Sequence, residues 1–253
     1  MKRITLCAAV AVVMVALSSC QKETGSNNPL PAQSLKIKTY TVDVRSSIFG
    51  NVATTYNLSY DANDKLIKMV DASNPGSKFT YAYPSSAKYT LDLFINNAFE
   101  LHVDFLLNSH SLIDSSIQYN NTNDTTTEKY VYNSANQLTK LYEYERYSSS
   151  YLSNTTSYTY DGAGNLVKAV DTFQDVYTYE YYDDKLYVLP QVIPVTVPGE
   201  KVNLLKKVTL SANGTLLESY TCTYTFDSKD RISIERNDYN DGDVVIKTYT
   251  YFD

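Results

Sequence analysis

The sequence predicts an all-β fold: an antiparallel β-meander of hairpins, closed or nearly closed into a barrel, with a long twisted open sheet as the alternative. Three observations predict it. Tyrosine supplies 25 of 253 residues, against eight Phe and no Trp, and Tyr and Thr suit a pleated, half-buried surface. Long runs alternate by face: Val52, Thr54, Tyr56, Leu58 and Tyr60 on one side, Ala53, Thr55, Asn57 and Ser59 on the other. That is the period of a strand. Finally, a short unit rich in turn residues recurs through the chain, and internal repeats govern the reading of a fold.

In chain order, the first element is residues 1–20. Met1-Lys2-Arg3 precede an apolar run from Ile4 to Leu17, then Ser18-Ser19-Cys20. A basic start, a short apolar run and small residues at the cut make a secretory signal. The run is too short to span a bilayer, which takes about 20 apolar residues. Leu17-Ser18-Ser19-Cys20 resembles the lipobox of bacterial lipoproteins. The resemblance implies cleavage before Cys20 and lipid attachment to its sulfur, with acyl chains such as palmitate anchoring the chain to a membrane. The alternative is an ordinary signal with a chance cysteine. Residues 21–34 are polar, with one Gly and two Pro, the composition of a flexible linker. Lys22-Glu23 resembles part of the surface-export signal of Bacteroidetes-type lipoproteins, and is otherwise ordinary linker. The expected location is therefore the outer membrane, facing either the periplasm or the cell surface.

Residues 35–253 form the third element, a single all-β repeat domain. Its clearest unit is Tyr158-Thr159-Tyr160-Asp161-Gly162-Ala163-Gly164-Asn165-Leu166-Val167-Lys168. Further copies centre on Tyr60-Asp61 through Leu66, Tyr132-Asn133 through Leu138, and Phe226-Asp227 through Ile232. Weaker ones run Leu106–Leu112 and Leu210–Leu216, and a shortened one covers Tyr181–Leu186. Each full copy places Leu or Ile six residues after an apolar anchor. The even offset lets both face one side across a turn, and the Asp, Asn, Gly and Ser between them are turn formers. The unit resembles the YD repeat of RHS-type proteins, which residues 160–166 match fully. It more closely resembles uncharacterised Bacteroidetes-type lipoproteins with degenerate YD-like hairpins and porin-like β folds. The resemblance implies architecture and carries no activity.

At about 10 residues per strand and about 4 per turn, the domain holds roughly 14–16 strands. A sheet that long is expected to close, because open edges invite aggregation. A membrane-spanning barrel is disfavoured: Lys68, Lys140, Lys168 and Glu218 break the second face where lipid would require an apolar band. Three segments read as long loops: 119–127, 146–157, and 188–200 with its three prolines.

Without Lys2 and Arg3, the mature chain has 20 basic and 28 acidic side chains, a net charge of −8. This argues against nucleic acid, whose binding rests on Lys and Arg. Cys222 is the one thiol left after Cys7 and Cys20, and in step with an aromatic face it reads as a buried structural residue. His102 and His110 lie apart, with no carboxylate at a metal spacing. Asp183-Asp184 fall where a turn is expected, and Asp238–Asp243 reads as a hairpin turn rather than a calcium loop, since Tyr249 stands at the twelfth position. No catalytic, metal or cofactor site follows. The expected role is a non-catalytic binding or interaction module, with Tyr faces stacking on a glycan or protein ligand. The alternative is a structural envelope protein whose Tyr ladders hold the sheet.

Overall fold

In the computed structural model, residues 36–120, 125–146, 150–188 and 201–252 are described. The signal, Cys20 and the linker through residue 34 lie outside them, as does most of the third expected loop. Sixteen antiparallel strands pair each with its chain neighbour, and the last pairs with the first to close the barrel. They are β1 (Ile37–Ser46), β2 (Gly50–Tyr60), β3 (Leu66–Asp71), β4 (Lys78–Ser85), β5 (Lys88–Ile95), β6 (Ala98–Leu107), β7 (Ile113–Asn120) and β8 (Thr125–Tyr132). β9 (Leu138–Arg146), β10 (Ser150–Tyr160), β11 (Leu166–Val170), β12 (Asp175–Val188), β13 (Lys201–Ala212), β14 (Thr215–Phe226), β15 (Ile232–Tyr239) and β16 (Val244–Tyr251) complete it. The closed barrel and the upper end of the expected strand count are both realised, and the open-sheet alternative is not.

The repeat unit is the hairpin that makes this possible. At Asp61, Asn133, Asp161 and Asp227 the side-chain Oδ1 accepts two backbone N–H groups, two and four residues onward. The same residue's N–H donates to the carbonyl four residues on. The fourth turn residue takes a positive φ: 64° at Asp64, 57° at Asn136, 85° at Gly164 and 59° at Asp230. Gly adopts this conformation freely, and Asn and Asp do so at lower cost than other side chains. That is why the copies can lose Gly and keep the turn. Asn108 builds the same turn for the weak copy ending at Leu112. These repeat turns, both described chain ends and the β4–β5 turn lie at one end of the barrel. We call it the terminal end, and the opposite end the far end.

With one closed sheet, only the lumen can bury a face. Tyr40, Val42, Leu58, Met69, Phe79, Tyr81, Tyr89, Leu91, Val103, Phe105, Tyr130 and Tyr249 are buried in one cluster, so these positions point inward. Their alternates carry Lys38, Asp43, Lys68, Lys88, Asp92, Asp104, Lys140 and Arg236. The wall is thus apolar inside and polar outside, the reverse of a lipid-embedded barrel. The seam closes on tyrosine: the Tyr40 ring stacks on Tyr249 at 5.4 Å and on Tyr56 at 6.4 Å.

Two loop expectations are corrected. Tyr119 and Asn120 belong to β7, Thr125–Thr127 to β8, and Ser150–Ser157 to β10. The Thr, Ser and Asn of these stretches satisfy their backbones in ladders with β9 and β11, and pairing partners outweigh low hydrophobicity in fixing a strand. The shortened repeat is not a turn either. Residues 182–185 form an irregularity within β12, between the Tyr181–Leu205 and Leu186–Asn203 pairs. The Asp183-Asp184 pair therefore sits in a strand.

Candidate functional site

Most tyrosines serve the wall. At the end of an even strand the chain turns away, and the first carbonyl of the preceding odd strand would lose its partner. A tyrosine hydroxyl supplies one. Tyr60 donates to Ile37 O at 3.0 Å, Tyr83 to Leu66 O at 2.8 Å, Tyr132 to Ile113 O at 2.8 Å, Tyr160 to Leu138 O at 2.9 Å and Tyr251 to Ile232 O at 2.6 Å. This is the physical meaning of the tyrosine in the repeat. Burial pushes the hydroxyls of Tyr60 and Tyr83 up to about 12.

Inside the lumen, cross-strand register sets up rows on β12–β16. Tyr177, Leu210 and Glu218 form the row nearest the far mouth, so Glu218, expected to break the outer face, instead shares the lumenal face with Tyr220 and Cys222 because strand parity continues through β14. Tyr179, Val208, Tyr220 and Tyr239 form the next, with the Tyr220 and Tyr239 rings 4.8 Å apart. Cys222, Asn237 and Val245 follow, then Tyr224, Glu235 and Lys247. Lys247 Nζ donates to Glu235 Oε1 at 2.7 Å. Burial opposes the ammonium, yet Glu235 and Tyr40 hold it charged, above its ordinary range. Cys222 is 1% exposed and burial pushes its thiol up to about 12, as a structural thiol requires. Asn237 is 3% exposed, and its Oδ1 accepts no hydrogen bond. Its Nδ2 faces Glu235 Oε1 at 3.4 Å, which fixes the amide: the flipped form would set two oxygens face to face.

A second inward group lies on β8 and β9. Glu128 accepts from Ser116 Oγ at 2.6 Å and Tyr130 Oη at 2.5 Å. Glu143 stands directly opposite Glu128 and accepts from Asn154 Nδ2 at 2.7 Å. Burial, then Glu128 and Glu145, raise the Glu143 carboxyl above its ordinary range against the pull of Asn154.

On the outer wall, His102 is less isolated than its sequence context suggests. Its Nδ1 lies 2.6 Å from Asp92 Oδ1 and its Nε2 3.1 Å from Asp104 Oδ1, with Lys88 Nζ 2.7 Å from the same Asp104 oxygen. Two carboxylate partners require two ring N–H donors, so the imidazolium fits here. Asp92 is ten residues away in sequence, and only strand pairing reveals it. His110 is a turn residue whose N–H donates to Asn108. Asp238–Asp243 is the hairpin turn expected, with Gly242 at φ 95° and Asp243 Oδ1 accepting from Ser47 N. Among the described residues, no three His, Cys, Asp or Glu side chains are grouped to hold a metal ion.

The clearest feature missed from sequence is the far rim. Among the described residues, fourteen large apolar or aromatic side chains are exposed, and eleven of them lie in, or within three residues of, far-end turns. Ile48 (77%), Phe49 (71%) and Val52 edge β1–β2, and Phe173 (67%) tops β11–β12. Tyr151 and Leu152 begin β10, Leu216 and Leu217 begin β14, and Phe99, Tyr119 and Tyr177 complete the set. The other three, Ile67, Leu106 and Phe252, fall at the terminal end. The same rim carries Asp71, Glu100, Glu145, Asp171, Asp175, Asp238, Asp241 and Asp243 against Arg45 and Lys78. Single apolar residues scattered over a surface are ordinary, whereas concentration in one zone marks an interaction site.

No family model and no curated relative matches the chain by sequence. Solved structures match by fold. A porin-like protein from Bacteroides uniformis superposes with a TM-score of 0.62 at 13% identity, covering 89% of this chain and 100% of that one. A porin-like protein from Bacteroides vulgatus does so with a TM-score of 0.60 at 15% identity, covering 86% and 99%. The chain shares their β-barrel fold.

Proposed function

We propose that this chain is a non-catalytic interaction protein of the cell envelope, held to a membrane by lipid on Cys20, whose far rim docks a protein partner. The observation that carries the reading is the eleven-to-three split, among the described residues, of exposed apolar side chains between the two ends. The eight carboxylates among them select a partner that surrounds its apolar contacts with Lys and Arg. They also oppose docking on anionic lipid. The anchor fits this polarity: β1 starts at the terminal end, so a tether running from Cys20 to Ile37 joins the end remote from the rim. The tyrosine staples make the wall a rigid mount.

The test is site-specific photocrosslinking in intact cells. A benzophenone amino acid replaces Phe49 or Phe173 on the rim, or Phe252 at the terminal end. One defined protein species crosslinked from both rim positions, absent from Phe252 and lost in an Ile48→Ser/Leu216→Ser background, supports docking. Identical patterns from all three positions overturn it. Separately, Cys20→Ala releases the protein from the membrane fraction, and its retention there would sink the anchor.

The tyrosines favour a second reading, a purely structural envelope protein. They are spread around the wall and, among the described residues, mostly half-buried or buried, as cross-strand stabilisers should be. Loss of envelope integrity on deletion, with no rim-dependent crosslink, would select it.

A further inference from the structure

The wall separates charge by face along β8–β11. Glu128 stands opposite Glu143, and Glu145 opposite Thr126. These are the carboxylates of the four strands, and all share the inward parity of buried Tyr130. The lysines take the other parity. Lys129 stands opposite Tyr142, Lys140 opposite Val131 and Ser157, and Lys168 opposite Thr159 and Thr178, so all three lie on the outer wall, where they are exposed. None of them has an ion pair or a side-chain hydrogen bond with a described residue. Elsewhere on the outer wall Arg45, Lys88 and Arg236 are each held by an aspartate. A protein of net charge −6 over its 253 residues thus presents one face of uncompensated positive charge.

Two tyrosines stand among these lysines. Tyr142 and Tyr144 face outward on β9, about 7 Å apart by strand rise. Unlike the staple tyrosines, they make no side-chain hydrogen bond and no ring contact with a described residue. Thr127 stands opposite Tyr144 and Thr155 opposite Tyr142, so hydroxyls surround the rings. Uncompensated lysines select an anion. An acyl chain or an apolar protein surface needs a continuous apolar patch, which Lys129 and Lys140 interrupt on either side of Tyr142. A sugar ring has a C–H face to lie on tyrosine and hydroxyls to meet threonine. We propose that the outer face of β8–β11 binds an acidic oligosaccharide, its rings on Tyr142 and Tyr144 and its carboxylates or sulfates on Lys129, Lys140 and Lys168. This face lies on the wall, apart from the rim, and does not depend on a docked protein.

The test is an NMR titration of the full-length protein with its tyrosine rings isotopically labelled. The probes are tetragalacturonate, a sulfated heparin tetrasaccharide and, as the neutral control, fully methyl-esterified tetragalacturonate. Saturable shifts of Tyr142 and Tyr144 are expected with one or both acids, in the millimolar range of a weak ligand. Affinity should fall about fivefold or more on methyl esterification, in 0.5 M salt and in Lys129→Ala/Lys140→Ala, as loss of exposed charge pairs requires. Tyr142→Ala should lower it as well, read at Tyr144, whereas Tyr142→Phe keeps it. Lys38→Ala/Lys206→Ala removes two exposed charges elsewhere and leaves affinity unchanged. The substituted lysines are exposed, so both double variants keep their fold, which their thermal midpoints verify. No saturable shift with either acid, or unchanged affinity in Lys129→Ala/Lys140→Ala, overturns the proposal. So does an equal loss in Lys38→Ala/Lys206→Ala. Lysine-dependent shifts with phosphatidylglycerol vesicles and none with the saccharides also overturn it, and assign the face to anionic lipid.

Discussion

Replacing Tyr132 by Phe deletes one oxygen and keeps the ring. The hydroxyl donates to Ile113 O at 2.8 Å, at the point where β8 leaves its ladder with β7. Ile113 is 8% exposed, so water replaces the lost donor poorly. A net hydrogen bond contributes about 1 kcal/mol, and an unsatisfied buried acceptor costs about 1–3 kcal/mol. Partial access at the strand end sets the loss near 1.5 kcal/mol. For a domain of this size each kcal/mol moves the midpoint by about 2–4 °C, so Tyr132→Phe should lower Tm by about 3–6 °C in calorimetry. Tyr60→Phe removes the same kind of staple six strands away, and the double variant should add the two losses to within about 0.5 kcal/mol. Tyr119→Phe, on the exposed outer wall, is the control and should stay within about 0.5 kcal/mol of the parent. A shift below about 1 °C for Tyr132→Phe, or an equal loss at Tyr119, would refute the assignment of the repeat tyrosine to the neighbouring carbonyl.

Two further outcomes concern pH. Burial pushes Tyr40 and Tyr239 up to about 12, so the native state keeps protons that the unfolded chain loses above about pH 10. Stability is then full below pH 10 and falls as pH rises from 10 to 12, by about 1.4 kcal/mol per pH unit for Tyr40 alone. Chemical denaturation at pH 9, 10 and 11 checks this, and a flat profile would contradict it. Partial burial lowers His102, but its bonds to Asp92 and Asp104 outweigh that and raise it above 6.5. Its stabilisation is complete below pH 6.5 and is lost as pH climbs through the raised value. NMR titration should show Asp92→Asn moving the His102 midpoint down, and an unmoved midpoint would dismiss the pairing.

The sequence by itself determined the all-β class, the hairpin unit and the inward stripe. Alternation at Val52–Tyr60 places Leu58 inside because a strand has only two faces. Asp61, Asn133, Asp161 and Asp227 announce their turns because a short side chain bonds its own backbone within four residues. The Thr- and Ser-rich run at 150–157 reads as a loop by composition yet forms β10, since its strand character comes from ladder partners rather than from its own hydrophobicity. His102 looked solitary because its Asp92 partner is a cross-strand neighbour. The rim and the basic outer face depend on the tertiary structure in the same way. Ile48, Phe99, Phe173 and Leu216 are far apart in the chain, and nothing local distinguishes an apolar residue at one end of a barrel from one at the other. Which hairpins share an end, and which faces meet across strands, is decided only when β16 pairs with β1 and the register of every ladder is fixed.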